Sequence, residues 1–340
     1  MTIHAVSTCN MTADLSKPES QQQFVAETER FRRELLAHCY RMAGSAHEAQ
    51  DLVQETYLRA WRFYEAFEGR ASTRSWLYKI ATNVCLTALS KRAGRVLPSS
   101  LSDAQDADRS DNRFAPDEVA WVGPFPDAWL APATDDPAAA MVARESLRLA
   151  LIASMQCLPS RQRAIFILRE VLMFSASETA EILETSTAAV KSGLQRARAQ
   201  LNELEPRPEQ LLEPTDPRAR ELLDGYIAAF ERSDANLLLR VLRSDATLEA
   251  TPFREWQAGR VRCIHLLETS VLGAPGDWRM LATTANGQPA AAVYHRAADG
   301  ALRASDIVVL APTESGVSRV VAFHDPTLVA LFGFPEVLEE

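Results

Sequence analysis

Residues 51–92 read DLVQETYLRAWRFYEAFEGRASTRSWLYKIATNVCLTALSKR, and the rest of the chain is organised around them. Leu52, Val53, Tyr57, Leu58 and Trp61 recur at helical spacing, with Asp51, Gln54, Glu55, Arg59 and Arg62 between them, which predicts an amphipathic helix. Glu68 to Thr73 contains Gly69 and small polar residues and suits a turn. Ser72 or Thr73 is placed to cap a second helix that buries Trp76, Leu77, Ile80, Ala81 and Val84 and leaves Arg74, Lys79 and Asn83 outside.

The strings Asp-Leu-Val-Gln-Glu-x-Tyr-x-x-Ala-Trp and Trp-Leu-Tyr-Lys-Ile-Ala-x-Asn resemble region two of the bacterial sigma factors, in the extracytoplasmic-function (ECF) group, over roughly residues 24 to 95. On periodicity alone the apolar residues are core and the polar ones a solvated face. The resemblance implies more. Asp51, Gln54 and Glu55 would face the beta-prime clamp helices of RNA polymerase core. Gly69, Arg70, Ser72, Arg74, Trp76, Lys79 and Asn83 would meet the minus-ten promoter element, with the loop and Asn83 receiving a flipped base. Extruding a base costs a few kcal/mol and needs a pocket that pairs its edge. Small polar loop residues beside an Asn amide offer donors and acceptors without bulk. Arg74, Lys79, Lys91 and Arg92 suit phosphates, and aromatic edges suit stacking on single-stranded bases.

With 340 residues, two or three domains are expected. No apolar run reaches the length of a membrane span, and the N-terminus lacks the basic start and apolar core of a signal peptide, so a cytoplasmic protein is expected. Five scattered cysteines indicate neither a disulfide framework nor a zinc site, and His38, Cys39 and His47 match no ligand spacing, so no metal or cofactor is called for. The net charge of −9 argues against nucleic acid until it is divided along the chain. Residues 24–95 carry +4 and 146–202 carry +3, against −7 for 96–145 and −8 for 203–340. Nucleic-acid binding is therefore expected in the two basic modules.

Taken in order, residues 1–23 read as a disordered leader. Phe24, Phe31, Leu35, Leu36 and Tyr40 share a helix face that Gly44 ends, opening the 24–95 module. Residues 96–140 read as an acidic linker, flexible through LPSSLSDAQDADRSDN, then aromatic at Trp121-Val-Gly-Pro-Phe-Pro-Asp127-Ala-Trp129. That aromatic segment either packs on its own protein or sits in a polymerase channel or against the C-terminal domain. It also resembles one ECF subgroup whose members carry an extra C-terminal domain.

Residues 141–203 are helical. Leu158-Pro-Ser-Arg-Gln-Arg resembles the opening of sigma region four, with Ser160 as the cap and Ile165, Phe166 and Leu168 buried. SASETAEIL, the turn ETS and TAAVKSGLQRARAQL form a helix-turn-helix pattern, in which Val190, Leu194, Ala197 and Leu201 make one apolar stripe. Thr187, Lys191, Ser192, Gln195, Arg196 and Arg198 are the candidates for the minus-thirty-five element, and the resemblance adds the beta flap of the polymerase as a partner. Two positions depart from the usual sigma pattern: Glu184 stands where the turn commonly has Gly, and Gly193 where the recognition helix commonly has Arg.

Residues 204–217 are a Pro- and Glu-rich linker. In 218–340, two helices precede the strand-like runs ATLEA, RMLATTA, PAAAVYHRA, ALRASDIVVLA and SRVVAFH, with a helical stretch from Arg262 to Leu272 among them. The resulting α+β cone resembles the SnoaL-like (nuclear-transport-factor-2-like) fold. Its relatives include isomerases and cyclases, for which Asp245, Asp306, His265, His295 and His324 are the available residues here, although fold alone does not imply activity. The fold class is thus multidomain: two all-α sigma modules and a C-terminal α+β cone. The expected function is a non-enzymatic sigma factor that binds polymerase core and promoter DNA and is regulated in cis by the cone, which leaves room for an unidentified small ligand; no membrane is involved. The competing classes are a small-molecule enzyme or regulator fused to a helix-turn-helix module, and an ordinary helix-turn-helix repressor.

Overall fold

The computed structural model describes residues 18–65, 67, 72–90, 94–101, 103–104, 114–116, 118–130, 141–142, 144–204 and 210–339. The N-terminal domain is four helices: α1 (Pro18–Thr28), α2 (Arg32–Ala43), α3 (Ala46–Phe63) and α4 (Thr73–Leu89). Helix α1 begins inside the expected leader, with a proline at its first position, where the missing N–H is no loss. Gly44 ends α2 in the left-handed conformation (φ 72°), its N–H donating to the Tyr40 carbonyl at 2.7 Å. Ser45 caps α3 and Ser72 caps α4 through side-chain oxygens. Their buried stripes interlock around Leu35, Cys39, Tyr40, Leu52, Val53, Leu77 and Val84. Trp76 and Ile80 are only half-buried, and Tyr78, which periodicity passed over, is fully buried.

The second helical domain comprises α5 (Leu149–Gln156), α6 (Ser160–Phe166), α7 (Ala176–Ile182) and α8 (Thr187–Leu204). Ser160 does not cap α6: Pro159 holds the cap position, and Ser160 is the first helical residue. A widened π-helical turn, Ile167–Val171, follows α6. Ser175 and Glu178 close a reciprocal capping box on α7, and the backbone N–H of Ser175 holds the Glu178 carboxyl below its ordinary range.

The C-terminal domain starts with α9 (Pro217–Glu231) and α10 (Ala235–Val241) and continues as β1 (Leu242–Thr251), β2 (Trp256–Ala258), α11 (Arg260–Ser270), β3 (Trp278–Ala285), β4 (Gln288–Arg296), β5 (Leu302–Thr313), β6 (Gly316–Phe323), α12 (Pro326–Leu331) and β7 (Val337–Leu338). The sheet runs β2-β1-β6-β5-β4-β3, parallel between β1 and β6 and antiparallel elsewhere, with β7 added to β5. Its two faces do different jobs. Ala291 and Val293 pack with Leu222, Tyr226 and Phe230 into a core private to this domain. Their neighbours Ala290, Ala292 and Tyr294 join an apolar cluster that also holds Tyr40, Phe125, Leu149 and Ile152, so it runs from the sheet into both helical domains.

The segment joining the helical domains is stapled to the cone. Leu97 is buried, and the Ser99 N–H donates to the buried Glu249 carboxylate at 3.0 Å, so the start of the expected flexible linker is fixed; residues 105–113 of it lie outside the described residues. Phe125 is fully buried beside Tyr40 (ring centroids 4.7 Å), and Pro126 bridges Ala285. The aromatic segment therefore packs on its own protein, and it does so against the C-terminal domain. Among the described residues no helix is long and apolar enough to cross a membrane.

Candidate polymerase and nucleic-acid interface

On α3, Asp51 and Gln54 are exposed and Glu55 is half-exposed, tied to Arg59 at 2.6 Å. Asp51 and Glu55 line a shallow groove of about 460 Å³ with Ser45, His47, Glu48, Leu52, Ala88 and Arg95. Its floor is braced by Glu48, which pairs with Arg95 at 2.9 Å, while Arg95 also donates to the Trp121 carbonyl. This is a polar strip on a rigid helix, suited to docking another helix.

The minus-ten candidates divide. Gly69 and Arg70, with Lys91 and Arg92, lie outside the described residues. Ser72 is used as the α4 cap. Trp76 stacks on Phe67 at 4.6 Å, and its ring belongs to a run of aromatic contacts through Tyr64 and Trp61 to Phe24. Arg74 pairs with Glu34 at 3.2 Å and lies over the rings of Tyr78 and Phe174. Lys79 pairs with Glu184 at 3.0 Å. Asn83 is half-buried one turn beyond Lys79. Phe174 and Glu184 belong to the second helical domain, so the structure engages the two basic residues of this face from across the boundary.

On α8, Thr187, Lys191, Gln195, Arg196 and Arg198 are exposed and Ser192 is half-buried, bonded to the Ala189 carbonyl. Arg196 lies 3.4 Å from the Ser192 hydroxyl, whereas Arg198 makes two bonds, 2.8 and 2.9 Å, to Glu170. Of the two departures from the sigma pattern, Gly193 has a packing reason and Glu184 does not. Glu184 sits at φ +49°, the left-handed conformation that a glycine would supply without strain. Gly193 is buried, and a Cβ there would stand 2.6 Å from Ile165 Cδ1, so it faces α6 and its identity is set by helix packing.

Sequence reasoning did not find the residue at the centre of the assembly. Asn286 and Gly287 form the β3–β4 turn with φ +58° and +66°, an Asn-Gly hairpin signal plain in the sequence. Asn286 is fully buried. Its Nδ2 donates to the Tyr40 hydroxyl (2.7 Å) and the Leu147 carbonyl (2.6 Å), and its Oδ1 accepts from the Phe125 N–H (2.8 Å). The Gly287 N–H donates to Asp127, whose carboxyl burial pushes up and this bond holds down, and Gln288 accepts from the Leu149 N–H. One turn thus touches the first helical domain, the linker and the second helical domain.

Elsewhere, His38 lies in the core against Thr82, Cys39 contacts Cys85, and His47 is on the surface; among the described residues no group of His, Cys, Asp or Glu could hold a metal. Of the acid and histidine candidates in the cone, Asp245 is taken by Arg243, His265 is exposed and His295 packs on Trp278; only Asp306 and His324 meet.

Comparison with known proteins identifies the two helical modules. Residues 28–95 match the Sigma-70 region 2 family and residues 148–201 the Sigma-70, region 4 family. The chain is 47% identical over 322 residues to the ECF RNA polymerase sigma factor SigG of Mycobacterium tuberculosis, covering 94% of this chain and 86% of that protein. SigJ of the same organism is 29% identical over 230 residues, 66% of this chain and 63% of that one. The crystal structure of SigJ shares the fold (TM-score 0.56, 22% identity) over 92% of this chain and 99% of that chain. With two helical modules where regions two and four fall, a cone appended to them, and a relative this similar over almost its whole length, the chain belongs to the ECF RNA polymerase sigma factors.

Proposed function

We propose that this sigma factor, taken as functional units 24–95, 141–203 and 218–340, is restrained in cis by its C-terminal domain. It docks on the clamp helices of core through Asp51, Gln54 and Glu55 and meets the beta flap through its second helical domain. It contacts the minus-ten element through Gly69, Arg70, Ser72, Arg74, Trp76, Lys79 and Asn83, and the minus-thirty-five element through Thr187, Lys191, Ser192, Gln195, Arg196 and Arg198, in the cytoplasm. The polymerase surface on α3 is open, but Arg74 and Lys79 are occupied by Phe174 and Glu184. Two promoter elements on one duplex need the two helical domains apart; this arrangement holds them together.

The observation that carries the reading is Asn286, which bonds both helical domains and the linker from within one hairpin turn. Buried polar groups that lose a partner cost about 1–3 kcal/mol each, so removing its amide loosens all three contacts at once. Run-off transcription by the full-length chain with purified core tests it. Asn286→Ala is expected to raise promoter-specific transcript yield several-fold at equal protein concentration. Equal or lower yield from a variant that still binds core would remove the restraint.

A further inference from the structure

Helix α8 buries Val190, Gly193, Leu194, Ala197 and Leu201. At about 100° per residue these centre on one side of the helix, and the opposite line runs through Ala188, Ser192, Gln195 and Ala199. Lys191 and Arg198 fall along one margin of that outer face and Arg196 along the other. Long cations at the margins suit the phosphates on either side of a major groove, and residues on the centre line suit the base edges between them. Gly193, where the sigma pattern commonly has Arg, faces α6 and is off this face altogether. Its missing side chain therefore takes nothing from base reading.

The centre line holds two readers of different chemistry. Gln195 is exposed, and its amide makes no hydrogen bond to a described residue. An amide donor and acceptor side by side match the N7 acceptor and N6 donor of adenine. Ser192 gives its hydroxyl proton to the Ala189 carbonyl at 3.2 Å, which leaves it an acceptor only. Ala188 is exposed in the first turn, the part of a groove-seated helix that contacts base edges. Its methyl has nothing to offer an amino group or a carbonyl, and covering either strips water from it without return. The major-groove feature that a methyl complements is the C5-methyl of thymine. Ala199 lies three turns further along, beyond the part that reads bases.

We infer that Ala188 is a specificity-determining residue, and that the upstream promoter element carries a thymine read by Ala188 and an adenine read by Gln195. Seven positions separate the two residues, about 10 Å along the helix, so the two bases lie within about three base pairs of each other. That the helix enters the groove at all rests on the minus-thirty-five contact proposed above. The base identities go beyond it, and they leave Lys191, Arg196 and Arg198 for the phosphates.

The test uses holoenzyme made from the full-length chain and purified core. Sites are selected from a random duplex library. Each thymine of the upstream enriched element is then replaced by deoxyuridine, which removes only the methyl, and each adenine by 7-deazaadenine, which removes only the N7 acceptor. One deoxyuridine is expected to weaken binding about fourfold, the worth of one methyl contact. Ala188→Gly should bind that duplex and its thymine parent alike. One 7-deazaadenine, within about three base pairs of that thymine, should weaken binding at least ~5-fold, and Gln195→Ala should abolish the difference. Both positions are exposed, so the fold is retained, and a thermal melt verifies it. If an element is selected but no thymine methyl matters, or the deoxyuridine penalty persists in Ala188→Gly, the role of Ala188 is overturned while the minus-thirty-five contact stands. An adenine penalty that persists in Gln195→Ala overturns the role of Gln195 in the same way. If no upstream element is enriched, the contact and the base identities fall together.

Discussion

Lys79 and Glu184 meet across the boundary between the sigma domains, Nζ to Oε1 at 3.0 Å. The lysine comes from the face expected to meet the minus-ten element and the glutamate from the turn of the helix-turn-helix. Both side chains are well exposed, 43% and 71%, so the pair itself contributes about 0–1 kcal/mol. Its importance lies in what it occupies. Glu184→Gly removes the acid and relieves a left-handed residue, a gain of about 1 kcal/mol. The melting temperature is expected to hold or rise slightly, and holoenzyme affinity for a promoter fragment to increase; a filter-binding titration beside a thermal melt checks both.

The two arginines on α8 are not equivalent. Arg196→Ala is expected to lower the salt slope of promoter binding by about one. Arg198 is committed to Glu170, so Arg198→Ala should change the slope less, and Glu170→Gln should strengthen binding by freeing it. Affinity measured across a series of salt concentrations distinguishes the three variants.

Asp51 and Gln54 are exposed and support no fold contact among the described residues. Replacing both by Ala is expected to weaken core binding at least ~10-fold, as for loss of central polar contacts, with an unchanged melting temperature. Surface-immobilised core with the variant in solution reads the first, and calorimetry the second.

Gly193→Ala places a methyl against Ile165 Cδ1 while gaining about 1 kcal/mol of helix propensity. Overpacking costs about 1–3 kcal/mol, so the net effect is a small loss, and Ile165→Val in the same chain should recover it. Gly193→Arg should be clearly destabilising. Denaturant midpoints for the parent, Gly193→Ala, Ile165→Val and the double variant complete a cycle, with Gly193→Arg measured beside them.

His38 is fully buried, and desolvation with Arg41 beside it holds its pKa down at about 3, from 6.5. Between these values the unfolded chain binds a proton that the folded one excludes. The contribution is therefore intact above about pH 6.5 and is lost as the pH falls toward 3, by up to about 1.4 kcal/mol per pH unit. His38→Gln should flatten the acid side of the stability profile, read as urea midpoints from pH 7 to 4.5.

The helices of both sigma modules were legible because each buries a stripe at helical spacing: Leu52, Val53 and Ala60 on α3, and Val190, Leu194 and Ala197 on α8. The cone was legible from its strand-like runs, such as Pro289–Ala297, together with the resemblance they carry. Tyr78 was not, because its partners beyond α4 are Glu34, His38 and Phe174, the last nearly a hundred residues away. The Asn286-Gly287 turn could be read as a turn, but a turn signal says nothing about what the turn is pushed into. Polar candidates such as Arg74, Lys79 and Arg198 carry no periodic signature that separates a residue waiting for DNA from one paired with Glu34, Glu184 or Glu170.

The apolar cluster that passes from Tyr40 and Phe125 into Ala290, Ala292 and Tyr294 bears on how this protein can be cut. A boundary drawn after Leu204 looks clean along the chain, yet it bisects a shared interior. The shortened protein would carry Phe125, Leu147 and Leu149 uncovered, a surface prone to self-association. Transcription by such a fragment would mix any release of the proposed restraint with loss of soluble material, so point changes in the β3–β4 turn are the cleaner way to separate the parts.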